Sequence, residues 1–361
     1  MYPRLLIDLN KFTHNAKYLL NLCNSKNINL SAVTKVFCAD PKMVEILCGL
    51  PFKFLADSRI ENIKSYPENH KIRTIMLRLP QISEALDTVK YCDISLNSEL
   101  PTLKALSQAA SAANVRHGII LMVDLGDLRE GIYYDNMPLI CETLNFILSQ
   151  KSLSFEGIGT NLTCYGSVLA TTKNLQKLCD IAGQLNTKVK IISGGNSSSL
   201  YLLEKDAMPK GINNLRLGES IVRGVETAFG LPFMGLKQDV ITLEAEIIEI
   251  MNKPSVPEGE IGINAFGEKP HYEDFGIRRR AILAVGRQDT DYEGLKCTDP
   301  RIRIIGTSSD HLIVDVTESE KLLNVGDTLT FSLSYGAILA RFTSNYVKRK
   351  YIGGHHLLCQ S

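Results

Sequence analysis

The first residue whose type and place suggest covalent chemistry is Lys35, closing the otherwise apolar stretch AVTKVF at 32–37. Removing an ammonium from water is costly, so such a lysine tends toward a lowered pKa or imine formation. A lysine snorkelling at a strand end, or paired with a carboxylate, would look the same. The second element is SGGNSSS at 193–199. Its glycines let the backbone turn tightly toward an anion, while Asn196 and three serines bring donors to the start of a helix. RLGES at 216–220 offers the other half of such a cradle. A Gly/Ser loop alone is also an ordinary helix cap.

These residues need a scaffold, and the hydrophobic pattern supplies one. After LLIDL at 5–9 and an amphipathic helix at about 11–24, eight strand candidates follow: 30–35, 53–57, 73–79, 93–97, 118–125, 157–163, 189–195 and 214–219. Helical patterns such as ELPTLKALSQAA and TTKNLQKLCDIAGQL lie between most of them. Eight strands each followed by helix predict an α/β fold, a (β/α)8 TIM barrel over residues 10–235. Barrel chemistry collects at the C-terminal strand ends, where Lys35, Asp124, Asp127, Arg129, Thr160, Asn161, Ser197, Arg216, Gly218 and Glu219 all fall. The loops after strands seven and eight are the usual phosphate site of such a barrel. An amine facing a phosphate cradle describes a ligand with an aldehyde at one end and a phosphate at the other. Pyridoxal phosphate fits.

Beyond residue 235 the pattern turns to LEAEIIEIM, GEIGINAFG, RAILAVGRQD, RIRIIGTSSDHLIVDVT and DTLTFSLSYG, read as strands between Gly, Pro, Asn and Asp turns. A C-terminal all-β domain over 236–361 is expected, with the strand at 1–9 pairing into it.

Forty Lys plus Arg against thirty-nine Asp plus Glu leave a net charge of +1, no electrostatic reason to expect nucleic acid or an anionic membrane as partner. No apolar run reaches the ~18 residues of a bilayer span, and MYPRLLIDLN lacks a signal peptide's apolar core, so the cytosol is the expected address. The nine cysteines form no CxxC pair and mostly sit among apolar neighbours, which suits core thiols in a reducing compartment. With no HExxH either, a metal site is not expected.

IDLNKFTHN, AVTKVF, MVDLGDLREG, GIGTNLTCYG, SGGNSSS, RLGE, RAILAVGRQD and SSDHLIVDV, in this order over essentially the full length, resemble the alanine racemase group of pyridoxal phosphate enzymes, which pair a barrel with a β domain. TKVFCAD, LADSRIEN, SLNSEL, TNLTCYG and GGNSSSLYLL are most similar to members acting on ornithine. The resemblance implies racemisation of L- and D-ornithine, with other basic amino acids, alanine, or cofactor binding without catalysis as alternatives. It makes Lys35 the lysine bonded to the cofactor, and has Ser197 and the backbone around Gly218 and Glu219 hold the phosphate. Arg129 would lie by the cofactor's phenolic oxygen and the substrate carboxylate; alternatively it salt-bridges Asp127 or Glu130. Arg216 falls where the family sets an arginine against the pyridine nitrogen. Related barrel decarboxylases carry a glutamate there, within EPGR, so RLGE argues for racemisation. Ser309 and Asp310, in GTSSDHL, match a turn that reaches across a dimer interface to the substrate. A carboxylate there would select a basic side chain, although Asp310 could simply stabilise its own turn. A homodimer with shared active sites is implied.

Three departures stand out. The family's second base is a tyrosine from the partner subunit, but the matching turn here is Asn264-Ala265-Phe266-Gly267, and phenylalanine carries no proton. Either the match slips at this turn or another residue is the second base, with His271, Tyr272, His311 and Tyr346 as candidates. The family's histidine after strand six is Asn161, and the lysine some members carbamylate is Met122.

Overall fold

The computed structural model describes residues 1–68 and 70–354, so Cys359 and the end of the expected β domain lie outside the described residues. The chain divides into two compact units, one of residues 10–238 and one of 1–9 with 239–354.

In the larger unit, β2 (Asn29–Val33), β3 (Phe54–Asp57), β4 (Arg73–Met76), β5 (Ile94–Asn97), β6 (His117–Asp124), β8 (Leu153–Gly159), β9 (Ile191–Ser193) and β10 (Asn214–Leu217) run parallel, each paired with the next. Pairing of β10 with β2 closes the ring. This is the expected (β/α)8 barrel. Its strands are short apolar runs because both faces are buried, one against the barrel interior and one against helices. Val33, Phe54, Ala56, Ile75, Ile94, Leu96, Ile120, Met122 and Ile191 form one interior cluster. A two-residue strand, β7 (Ile132–Tyr133), pairs with the end of β6. Around the ring stand α1 (Leu9–Ser25), α2 (Pro41–Cys48), α3 (Ile60–Lys64), α4 (Ala85–Tyr91), α5 (Leu100–Ala112), α6 (Met137–Ser149), α7 (Thr172–Gln184), α8 (Leu200–Glu204) and α9 (Glu219–Arg223). Gly157 lets β8 pass β9 closely: a Cβ there would stand 1.9 Å from the Ile191 carbonyl oxygen.

The smaller unit is built on β11 (Ile241–Pro254), which pairs with β1 (Arg4–Asp8), β12 (Ile277–Leu283) and β16 (Thr328–Leu333). β13 (Leu295–Cys297), β14 (Arg303–Thr307), β15 (Leu312–Asp315) and β17 (Lys348–Ile352) complete the sheet, with β17 parallel to β1. β13 and β17 are not among the expected strands, and the sequence expectation differs in two further places. GEIGINAFG is not a strand: Gly259 at φ 113° and Gly267 at φ 78° turn the backbone out of any ladder, and Ile263 is exposed. A helix, α10 (Tyr335–Thr343), occupies a stretch read as purely β, capped by the Ser334 hydroxyl accepting from the Ala337 N–H at 3.2 Å.

Candidate active site

Lys35 lies just past the end of β2, in the 3-10 turn Lys35–Phe37. Its neighbour Thr34 is fixed by a buried network, with the hydroxyl donating to Asp57 Oδ2 at 2.5 Å and 2.7 Å from the Tyr66 hydroxyl. Asp57 also accepts from the Arg59 N–H and from Asn62 Nδ2. Cys38 and Ala39 follow at φ 47° and 48°, a left-handed conformation that costs non-glycine residues about 1 kcal/mol each and reverses the chain into α2. The Lys35 ammonium makes no hydrogen bond or ion pair among the described residues. Burial pushes its pKa below the ordinary lysine value; Arg129 and Arg216 push the same way, while Cys164 and Asp57 oppose them.

Across the barrel mouth, Gly195 at φ 109° turns the chain out of β9. The Ser199 hydroxyl returns to the Gly194 carbonyl at 2.7 Å, and Asn196 Oδ1 accepts from the Ser198 N–H at 2.8 Å. Ser197 Oγ accepts from the Ser220 N–H at 3.3 Å, which joins this turn to the start of α9. Neither flanking glycine tolerates a side chain: a Cβ on Gly194 would stand 2.6 Å from Ile212, and one on Gly218 2.8 Å from the Val33 carbonyl oxygen. Ser220 Oγ is buried with no partner among the described residues. Glu219 is partly buried, ion-paired with Arg223, and its pKa is raised by burial, with Arg223 and the Lys35 charge opposing.

Arg216 is 3 % exposed. It donates to Ser193 Oγ, to the Thr160 carbonyl at 2.7 Å and to Asn161 Oδ1 at 2.5 Å. Ser193 donates in turn to Asn214 (2.6 Å), and Asn214 Nδ2 to Ser31 (2.9 Å), a polar file that lets a guanidinium sit in the barrel. Burial pushes its pKa down to about 10, which leaves it charged at neutral pH. Its Nε makes no hydrogen bond among the described residues. Asn161 donates through Nδ2 to Glu130, and Glu130 accepts from both Nε and Nη2 of Arg129. Of the two ion-pair alternatives for Arg129, the one with Glu130 is present.

Asp127 does other work. Its fully buried carboxylate accepts from the backbone N–H of Thr163, Cys164, Tyr165 and Val168 at 3.0 to 3.2 Å, tying the loop after β8 to the loop after β6. Leu128 and Thr163, at φ 56° and 65°, are held in left-handed conformations beside it.

Lys35, Arg129, Asn161, Ser197, Arg216, Gly218 and Glu219 thus gather at the C-terminal mouth of the barrel. Ser309 and Asp310 belong to the smaller unit, in the turn between β14 and β15. There Asp310 accepts from Ser309 Oγ at 2.6 Å and from Gln288 Nε2, so it does brace its own turn. Arg287 lies 3.9 Å over the Phe266 ring and 5.0 Å from that of Tyr292. His271, Tyr272, His311 and Tyr346 are all exposed on this unit. Sequence reasoning missed Glu130 as a link and the Thr34–Asp57–Tyr66 support. Glu130, adjacent to Arg129 in DLREG, and the aspartate ending FLAD were the available signals. Among the described residues no three His, Cys, Asp or Glu side chains are placed to hold a metal ion, and no helix is long and apolar enough to cross a membrane.

Residues 7–224 match the family described as alanine racemase, N-terminal domain. The chain is 48 % identical over 354 residues to an ornithine racemase of Acetoanaerobium sticklandii, covering 97 % of this chain and 99 % of that one. It is 36 % identical over 356 residues to a lysine racemase of Thermotoga maritima, with the same coverage. Among solved structures it resembles an alanine racemase from Bartonella henselae with covalently bound pyridoxal phosphate, at TM-score 0.74 and 17 % identity over 98 % of this chain and all of that one. The biosynthetic alanine racemase of Pseudomonas aeruginosa gives the same values. At that identity the structural likeness concerns the fold alone.

Proposed function

The chain belongs to the alanine racemase family, and from that premise we propose that it is a pyridoxal phosphate-dependent isomerase interconverting L- and D-ornithine. The observation that carries the reading is Lys35, a half-buried amine without a partner among the described residues, at the same barrel mouth as the Ser197 turn and Arg216.

The residues present fit the cofactor. The amine can bond its aldehyde carbon. Ser197, the orphaned Ser220 hydroxyl and the backbone at Gly218 and Glu219 offer a cradle suited to a phosphate, and Gly218 packs so closely on Val33 of β2 that a Cβ would displace it. Arg216 Nε is an unused donor for a ring nitrogen, and Asn161 links Arg216 to the Glu130–Arg129 ion pair. When bound, pyridoxal phosphate supplies the electron withdrawal that acidifies the substrate's α hydrogen. An arginine by the ring nitrogen gives no full proton away, which suits simple removal and return of a proton.

With cofactor and substrate bound, Lys35 Nζ would serve as the base on one face of the α carbon. Its lowered pKa keeps a neutral fraction able to take the proton, and the same atom returns it when the reaction runs in the other direction. The opposite face requires a second acid–base group. Phe266 cannot serve, and we assign the task to His271, Tyr272, His311 or Tyr346 of a partner subunit in a cytosolic homodimer. Asp310 from the same turn region would face the distal ammonium of ornithine.

Incubation of the purified protein with either enantiomer of ornithine in heavy water tests this. Deuterium at the α carbon together with appearance of the other enantiomer is expected. Retention of the α hydrogen in both would refute the reading. Turnover of lysine above ornithine would move the substrate assignment toward the T. maritima relative.

A further inference from the structure

We propose that Glu130 is the positioning residue of this site: a single carboxylate that holds Arg129 directly and Arg216 through the amide of Asn161. The inference rests on the barrel mouth being the cofactor site, and its test separates the two.

Both oxygens of Glu130 are engaged. Arg129 reaches them through Nε and Nη2, the latter at 2.6 Å, in a two-pronged ion pair, and Asn161 Nδ2 donates to Oε1. The Glu130 side chain is only 15 % exposed and Asn161 is buried, so water does little to screen or replace these bonds. Two-pronged arginine–carboxylate pairs are directional as well as strong, so Arg129 is held in one pose instead of sweeping the mouth.

The step to Arg216 depends on the asymmetry of an amide. A carboxylate only accepts, so Asn161 must turn its NH2 toward Glu130. Its carbonyl oxygen then faces Arg216, which only donates, at 2.5 Å. Without the carboxylate, Arg216 alone holds the amide and the buried NH2 is left unpaired. Glu130 therefore secures the orientation that anchors the Arg216 guanidinium, whose remaining anchors are Ser193 and the Thr160 carbonyl.

Charge leads to the same conclusion. Arg129 and Arg216 both disfavour the proton on Lys35, and Glu130 favours the charged state of both guanidinium groups. Burial is the larger cause of the lowered Lys35 pKa, and the two arginines that Glu130 helps to hold add to it.

The test uses the full-length protein loaded with pyridoxal phosphate and reads the visible absorbance of the bound cofactor across pH, cofactor affinity, and turnover. For Glu130→Gln the pH midpoint of the absorbance should fall by about half a unit or more, because loss of a negative charge disfavours protonated nitrogen nearby. kcat should drop roughly tenfold or more, as expected when an electrostatic positioning bond is lost. Asn161→Ala should shift the same midpoint, and the double variant should be no worse than the worse single one, since the two act in series. Glu130→Asp, which keeps the charge on a shorter stem, should recover most of the midpoint and, if Glu130→Gln does not fold, serves with Asn161→Ala as the deciding pair. An unchanged midpoint in Glu130→Gln or in Asn161→Ala, or effects of these two that simply add, would overturn the proposal, as would a Glu130→Asp midpoint displaced as far as that of Asn161→Ala. Absence of any visible band from the unsubstituted protein would instead strike down the cofactor reading on which it stands.

Discussion

The Asp127 carboxylate accepts a hydrogen bond from the Thr163 backbone N–H at 3.0 Å, joining loops that leave two adjacent barrel strands. Cys164, Tyr165 and Val168 use the same carboxylate, which leaves Asp127→Ala with four backbone donors to re-solvate. At about 1 kcal/mol or more for each unmade bond, with partial relief by water, a loss of about 3 kcal/mol is expected in urea unfolding. A midpoint unchanged from the parent protein would mean the loop is held by something else.

Gly218 sits where β10 turns into α9, against the backbone of β2. Gly218→Ala sets a methyl group 2.8 Å from the Val33 carbonyl oxygen, a contact the barrel wall cannot relieve by rotating a side chain. The start of α9 must move, and cofactor affinity should fall at least about tenfold, equal to about 1.4 kcal/mol. Gly183 in α7 meets nothing within 4 Å, so Gly183→Ala should leave affinity alone and raise stability by up to about 1 kcal/mol. Equal effects of the two substitutions in a cofactor titration would contradict this.

If Asp310 selects the distal ammonium, Asp310→Asn should lower kcat/KM for ornithine by roughly tenfold to a hundredfold, the worth of a charge-assisted hydrogen bond. Alanine has no distal amine, and its turnover should not change. A parallel fall for both substrates would assign Asp310 only the bracing of its own turn, through Ser309 and Gln288.

Much of the barrel was legible because a parallel strand buried on both faces has to be a short apolar run, and eight such runs alternate with helical patterns. Lys35 stood out against that background for the same reason. Glu130 did not, because its meaning lies in Asn161, 31 residues away, and no local pattern encodes a bond between two loops. GEIGINAFG misled because its apolar residues suggest a ladder, whereas glycines at positive φ decide the backbone there. β17, the charged KRKYI, escaped notice because β1 supplies its register.

His117 offers a pH test inside the barrel. Its Nε2 lies 2.7 Å from Ser95 Oγ and its Nδ1 3.1 Å from the Cys92 carbonyl, and burial pushes its pKa down to about 4, with that carbonyl and Asp93 opposing. The unfolded chain binds this proton at about 6.5, so the folded state is favoured in full above that pH and loses the advantage as pH falls from there toward 4. The loss amounts to about 3 kcal/mol. Urea midpoints measured from pH 7.5 to 4.5 should decline on this limb, and His117→Gln should flatten it.

The most direct measurement is the absorbance spectrum of Lys35→Ala beside the parent protein, each saturated with pyridoxal phosphate, followed by an assay of ornithine racemisation. The parent should show the visible band of a lysine-bound cofactor and turnover, and the variant should lose both while keeping its thermal midpoint. A variant that retained the band, or that still inverted ornithine at the parent's rate, would contradict the assignment of Lys35.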